Sequence, residues 1–142
     1  PIWVGGGVTH GPRNDKSYKQ KINKKMKAKA LFTVLSEKLR KGQILFLEEL
    51  SLKNIKTKDA VEVIKDLSKV SGFEKLAGAR KPKVYLTCPA KTEIIKKSFA
   101  NLKVVEVDEI KNINPVDLLN FKYLVISQPK ESIAFLGGKI EK

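Results

Sequence analysis

The residues with the clearest chemical potential form a dense block of cations near the start of the chain. Eight Lys or Arg and a single acidic residue, Asp15, fall between residues 13 and 29. The cations are Arg13, Lys16, Lys19, Lys21, Lys24, Lys25, Lys27 and Lys29. Three or four lysines would indicate a solvated face. Eight cations in 17 residues repel one another and favour contact with a polyanion.

Aromatic, amide and glycine residues accompany these cations. The groups that can stack on bases or hydrogen-bond to them are Trp3, His10, Tyr18 and Asn23. Backbone amides at Gly5, Gly6 and Gly7 can approach a sugar–phosphate chain closely. This mixture is typical of an arm that enters folded RNA. Trp3 could instead be a local core residue, although an irregular glycine-rich segment offers little to pack against.

Cysteine and histidine chemistry is sparse because the chain has one residue of each type. Cys88 follows an apolar run that we predict to be a strand, which is a common place for a nucleophile. His10 would be the only imidazole able to activate that thiol. We therefore interpret Cys88 as a small buried hydrophobe, and we predict no catalytic residue, no metal site and no cofactor.

Nucleotide-binding motifs and paired carboxylates find little support in the sequence. The glycines at residues 5–7 do not follow a strand and fail the G-x-G-x-x-G spacing, and no G-x-x-x-x-G-K-[ST] occurs. The pairs Glu48-Glu49 and Asp108-Glu109 lie at strand ends, where adjacent side chains point to opposite faces. A small basic α/β enzyme or regulator acting on an anionic ligand is the alternative function, without a motif in its favour.

The elements that position these residues belong to a chain of 142 residues with a net charge of +14 and 42% hydrophobic residues. This composition predicts one folded domain, and no apolar run is long enough to span a bilayer. Residues 1–42 have a net charge of +9, and residues 43–142 have a net charge of +5. The expected partner is a polyanion, with nucleic acid ahead of an anionic membrane surface.

The sequence pattern divides the chain into an arm and a domain. Residues 1–20 are irregular and glycine-rich, and we predict an extended basic arm there. Residues 21–142 are predicted to form a globular domain that begins with a helix over Lys21–Lys41 and stops at Gly42. The predicted buried stripe of that helix is Ile22, Met26, Ala30 and Val34, with Leu31, Leu35 and Leu39 beside it.

Strand and helix patterns alternate in the rest of the chain. Predicted strands cover Ile44–Glu48, Val84–Thr87, Val104–Val107 and Tyr123–Ser127. Predicted helices cover Lys58–Val70, Thr92–Phe99, Val116–Phe121 and Lys130–Leu136, with Thr57 capping the first and Asn114 the third. Strands that each precede a helix indicate an α/β fold: a mainly parallel sheet of about four strands with helices on both faces.

Several short motifs, taken in order, resemble one family. They are PIWVGGGV at residues 1–8, GPR at 11–13, KINKK at 21–25 and ALFTVLSE at 30–37. Further matches are KTK at 56–58, NL at 101–102 and NPVDLL at 114–119. This ordered set resembles the universal large-subunit ribosomal protein L-four family over the whole chain.

The resemblance implies a structural role in the large (50S) subunit. Proteins of this family have a parallel α/β domain on the subunit surface and a long loop that enters the rRNA and lines part of the nascent-peptide exit tunnel. It implies RNA contacts for Trp3, Gly5, Gly6, Gly7, Arg13 and the Asn23-Lys24-Lys25 group. Val4 and Ala100 stand where the family usually has Arg, which removes two implied phosphate contacts.

The resemblance also sets expectations for completeness and partners. The basic arm is expected to be the returning half of the family's loop, and the domain to lack the family's N-terminal strand and helix. The expected partners are large-subunit rRNA and neighbouring ribosomal proteins, in the cytoplasm or an organelle, without a membrane or a second copy of the chain. The remaining rival is a membrane-surface protein that uses the basic helix over residues 21–41.

Overall fold

A four-stranded parallel sheet is the centre of the structure, a computed structural model that describes residues 3–8, 10–52, 54–76 and 84–139. Its strands are β1 (Ile44–Leu47), β2 (Val84–Cys88), β3 (Val105–Glu109) and β4 (Tyr123–Ser127). Their spatial order is β1-β4-β2-β3, and every pairing is parallel. The predicted α/β class and mainly parallel sheet are confirmed.

Five α-helices pack on the two faces of this sheet within the described residues. They are α1 (Lys24–Arg40), α2 (Thr57–Ser68), α3 (Glu93–Phe99), α4 (Pro115–Asn120) and α5 (Pro129–Gly137). Short 3-10 turns cover Glu74–Leu76 and Ile110–Asn112. Because each strand is followed by a helix, all the connections are crossovers, as parallel pairing requires.

The central strands bury both of their faces, and this produces two apolar layers. One layer joins α2 and α3 to the sheet around Val84, Leu86 and Val125. The other joins α1, α4 and α5 to the sheet around Tyr85 and Leu124. Successive residues of a strand alternate between these layers, as the two-residue period requires. Helices on both faces, as predicted, are confirmed.

The prediction for α1 was wrong at its N-terminal end, and two further residues of its predicted buried rows, Ala30 and Leu39, are exposed as well. The helix begins at Lys24 rather than Lys21, and Ile22 and Met26 are 65% and 62% exposed instead of buried. A 17-residue helix is about 25 Å long, whereas a five-residue strand spans about 17 Å. The sheet is too short to cover the whole helix, so the first turns of α1 extend beyond the core, and Leu31 is its only fully buried apolar residue.

Two of the three helix-end signals read from the sequence, Gly42 and Asn114, were correct, and Thr57 was wrong. Thr92, which was predicted as a helical residue, is instead the N-cap of α3. Gly42 has a positive φ of 62°, and the Gln43 amide donates to the Lys38 carbonyl at 2.9 Å, which closes α1 as a Schellman motif. Thr92 and Asn114 accept hydrogen bonds at the starts of α3 and α4. Thr57 is not a cap, because it is the first helical residue of α2.

Candidate nucleic-acid interface

The basic arm lies outside both apolar layers. Its described residues, 3–8 and 10–20, are all exposed and belong to no helix or strand. Trp3 is 80% exposed and Tyr18 is 75% exposed, so neither is a core residue here. Both aromatic rings are accessible for stacking against a planar partner.

Local turns shape the start of the arm. Gly5 and Gly6 have positive φ values of 90° and 72°, which glycine adopts without steric cost. The Gly6 amide donates to the Trp3 carbonyl at 2.9 Å, so residues 3–6 form a tight turn. Further along, the Lys16 ammonium lies 5.1 Å from the centroid of the Tyr18 ring, a cation–π contact.

The first turns of α1 continue the positive charge of the arm. Lys24, Lys25 and Lys27 occupy these turns, and the first turn contains no acidic residue. A helix N-terminus carries partial positive charge, so each cation there costs about 0.3–1 kcal/mol when no anion is near. The Asn23 side chain does not cap the helix either. This end of α1 is therefore electrostatically unfavourable alone and suited to an anionic partner.

A groove of about 1210 Å³ runs between the first half of α1 and parts of three other elements. Its far wall is the 3-10 turn at residues 110–112, the start of α4 and the last turn of α5. We call it the α1–α5 groove. Its cations are Lys24, Lys25, Lys27, Lys29, Lys111 and Lys139. Its apolar lining includes Leu31, Phe32, Ile113 and Phe135.

The structure gathers some of the predicted RNA-binding residues and leaves others apart. The four lysines of α1, at positions 24, 25, 27 and 29, line the α1–α5 groove together. The remaining predicted residues lie outside it, on the arm and the segment that leads into α1: Trp3, Gly5, Gly6, Gly7, His10, Arg13, Lys16, Tyr18, Lys19, Lys21 and Asn23. Val4 and Ala100, where the resemblance implied a lost cation, are both exposed.

Three groove residues were missed by the sequence reasoning: Lys111, Phe135 and Lys139. They follow Lys29 by 82, 106 and 110 positions, so no local pattern connects them with the basic block. The Lys139 ammonium lies 5.0 Å from the centroid of the Phe135 ring and donates to the Lys111 carbonyl at 3.2 Å. Partial burial lowers the pKa of Lys139, and the nearby charge of Lys27 lowers it further.

Cys88 has the surroundings of a structural thiol. It is the last residue of β2 and is buried, and burial raises the pKa of its thiol, which disfavours the reactive thiolate. Nearby, Lys91 contacts the Asp108 carboxylate at 3.9 Å, and Lys111 pairs with Glu109 and lowers the pKa of that carboxyl. Asp108 and Glu109 therefore balance neighbouring lysines.

Within the described residues, no group of three or more His, Cys, Asp or Glu side chains is placed to share a metal ion. No helix in this part of the chain has the length and apolarity that a transmembrane span requires.

The structure thus defines the class of basic α/β proteins in which a parallel sheet domain follows an exposed cationic arm. The chain belongs to the Ribosomal protein L4/L1 family, whose profile matches residues 1–136.

Curated relatives agree with this assignment. The chain is 36% identical over 141 residues to "Large ribosomal subunit protein uL4" of Aquifex aeolicus, covering 99% of this chain and 64% of the relative. It is 35% identical over 133 residues to the protein of the same name from Natranaerobius thermophilus, covering 94% of this chain and 58% of the relative. The chain thus spans about three fifths of the length of these relatives.

Proposed function

We propose that this chain is a structural component of the large ribosomal subunit that binds large-subunit rRNA through its basic arm and the first turns of α1. The observation that carries the proposal is the dense block of eight exposed cations between Arg13 and Lys29 in a chain of this family. Only Asp15 opposes their charge within that block. The positive charge of this segment is complementary to the negative charge of a phosphate backbone.

The mechanism of binding is electrostatic attraction combined with shape and stacking. Each Lys or Arg that neutralises a phosphate releases a condensed counterion, which makes the affinity fall with salt. Trp3 and Tyr18 supply exposed rings for unstacked bases, and the turn at Gly5 and Gly6 lets the backbone approach closely. Base identity contributes less than backbone geometry in such an interface.

The proposal extends to the surroundings of the chain in the subunit. The resemblance implies that the arm runs toward the nascent-peptide exit tunnel and that neighbouring large-subunit proteins contact the α/β domain. Exposed apolar residues support protein contacts on the domain surface, notably Val116 and Leu119 of α4. The family is one of structural ribosomal proteins, and no observation favours an enzyme acting on an anionic ligand.

Sedimentation of the tagged chain from a cell lysate, after a high-salt wash, tests this function. We expect the wild-type chain to remain with the large subunit, because a threaded arm is released slowly. We expect the variant Lys24→Glu/Lys25→Glu to shift to the top fractions. Glu at these positions favours the N-terminal end of a helix, so loss of binding could not be ascribed to unwinding of α1.

The matched control is Lys56→Glu/Lys58→Glu, which reverses the same number of charges at the N-terminal end of α2, a helix on the opposite face of the sheet. It should co-sediment as the wild type does. Release of the wild-type chain by the wash would contradict the proposed function. Equal retention of both double variants, with unchanged circular dichroism, would remove Lys24 and Lys25 from the interface.

A further inference from the structure

The α1–α5 groove has a charge imbalance that its own residues do not relieve. Six of its 16 lining residues are lysines and none is acidic. Lys111 pairs with Glu109, which lies outside the lining. Within the described part of the chain, Lys24, Lys25, Lys27, Lys29 and Lys139 form no ion pair. The groove is therefore complementary to an anion.

The floor of the groove is suited to a flat apolar group. Phe135 is 45% exposed although it is large and apolar, and Phe32, Leu31 and Ile113 line the groove with it. The Lys139 ammonium lies at 5.0 Å from the Phe135 ring, so charge and aromatic surface occur side by side. An aromatic platform beside cations is the arrangement that binds single-stranded nucleic acid, where bases stack and phosphates are neutralised.

The groove is also continuous with the basic arm. The arm leads through residues 21–23 into Lys24, which is both the first residue of α1 and part of the groove lining. An RNA strand that contacts the arm can thus reach the groove along a connecting segment that contains Lys21 and no acidic residue. An acidic peptide would satisfy the lysines but would leave Phe135 without a stacking partner.

We propose that the α1–α5 groove is a second RNA contact, in which one unstacked nucleotide lies against Phe135 and its flanking phosphates are held by Lys27 and Lys139. This inference rests on the proposed function and adds a binding site on the folded domain. It assigns a role to Lys139 and Phe135, which lie more than 100 residues from the basic block.

Binding of the purified chain to a large-subunit rRNA transcript, measured at several salt concentrations, tests the groove. For Phe135→Ala we expect about tenfold weaker binding with an unchanged salt slope, because a stacked base is lost but no phosphate contact. For Lys139→Gln we expect the slope of log K against log salt to fall by about 0.7, the value for one single-stranded phosphate contact.

Matched controls are available on the same helix, because Ile133 and Lys130 of α5 are exposed and lie outside the groove lining. Ile133→Ala and Lys130→Gln should bind as the wild type does. If both groove variants bind with wild-type affinity and slope while Arg13→Glu/Lys16→Glu, on the arm and outside the groove lining, does not bind, the groove inference is overturned and the proposed function stands. If the wild-type chain fails to bind the transcript, the proposed function itself fails.

Fluorescence gives a direct measure of stacking that does not depend on affinity. Trp3 is the only tryptophan, so Phe135→Trp in a Trp3→Phe background places the single indole in the groove. Saturation with the rRNA transcript should quench its emission, since a stacked base lies against the ring. Full saturation without quenching would contradict the proposal that a nucleotide stacks on the ring at position 135.

Discussion

At the scale of single residues, Lys38 joins two elements that are distant in sequence. It is buried on α1, and its ammonium donates to the carbonyls of Phe121 at 2.8 Å and Lys122 at 2.9 Å. These carbonyls lie between the end of α4 and the start of β4. The lysine therefore satisfies backbone acceptors that α4 leaves without helical partners.

We expect Lys38→Met to lower the free energy of unfolding by about 1–2 kcal/mol, because two carbonyls lose their donor while the methionine fills similar volume. Urea denaturation followed by circular dichroism measures the change. Lys58→Met, at an exposed position of α2, is the control and should stay within about 0.5 kcal/mol of the wild type. Equal effects of the two substitutions would contradict the role given to Lys38.

The difference in unfolding free energy between the wild type and Lys38→Met should depend on pH. Burial lowers the pKa of Lys38 below the ordinary lysine value of 10.5. Between the folded and unfolded pKa values the unfolded chain binds the extra proton, so the wild type gains stability as pH rises through that window. The stability gap between wild type and Lys38→Met should be constant near pH 7 and widen as pH approaches 10.5. Urea titrations at both ends of that range would show a narrowing gap if the sign were wrong.

At the scale of elements, α4 depends on its cap because it is only six residues long. The side-chain oxygen Oδ1 of Asn114 accepts from the Asp117 backbone amide at 2.8 Å, and its side-chain nitrogen Nδ2 donates to the Asp117 carboxylate. Pro115 occupies the first helical position, where a missing amide proton costs nothing. The cap fixes where α4 begins, and Leu118 on that helix is fully buried.

We expect Asn114→Ala to reduce the free energy of unfolding by about 1 kcal/mol, within the 0.5–2 kcal/mol range for lost N-caps. Thermal denaturation is a sufficient readout. Asn120→Ala makes the same chemical change at the exposed last residue of α4, and it should leave the melting temperature nearly unchanged. A similar fall in both variants would show that Asn114 does not act as a cap.

At the scale of the whole molecule, the basic arm and the α/β domain contribute differently to stability and to RNA affinity. The described arm residues contribute nothing to either apolar layer. The arm nevertheless carries Arg13, Lys16 and Lys19 of the basic block. Stability should therefore reside in the domain, and a large share of the salt-dependent affinity in the arm.

Deletion of residues 1–19 should leave the melting temperature unchanged and weaken binding to a large-subunit rRNA transcript. The salt slope should fall by about 0.7 to 0.9 for each phosphate contact that the arm makes. Scanning calorimetry and binding at several salt concentrations measure the two effects separately. A lower melting temperature in the deleted chain would show that the arm packs on the domain and is part of the fold.

Local signals in the sequence were sufficient for the order and type of the elements. Tyr123–Ser127 was predicted with its observed bounds, and the Asn114-Pro115 start and the Gly42 stop were confirmed. Each of these depends on residues within a few positions of one another, such as a cap side chain and the amide it accepts from. Such short-range physics can be read without knowing what packs on the element.

The sequence by itself determined an α/β chain with parallel strands, terminal helix signals and a dense block of cations. Only the tertiary structure decided that Ile22 and Met26 are exposed, because burial depends on how far the sheet extends beneath α1. It also decided that Lys139 lies near Lys27, because the strand order brings the end of α5 beside the start of α1. Periodicity records which side of a helix is apolar, whereas the length and order of the strands decide what covers it.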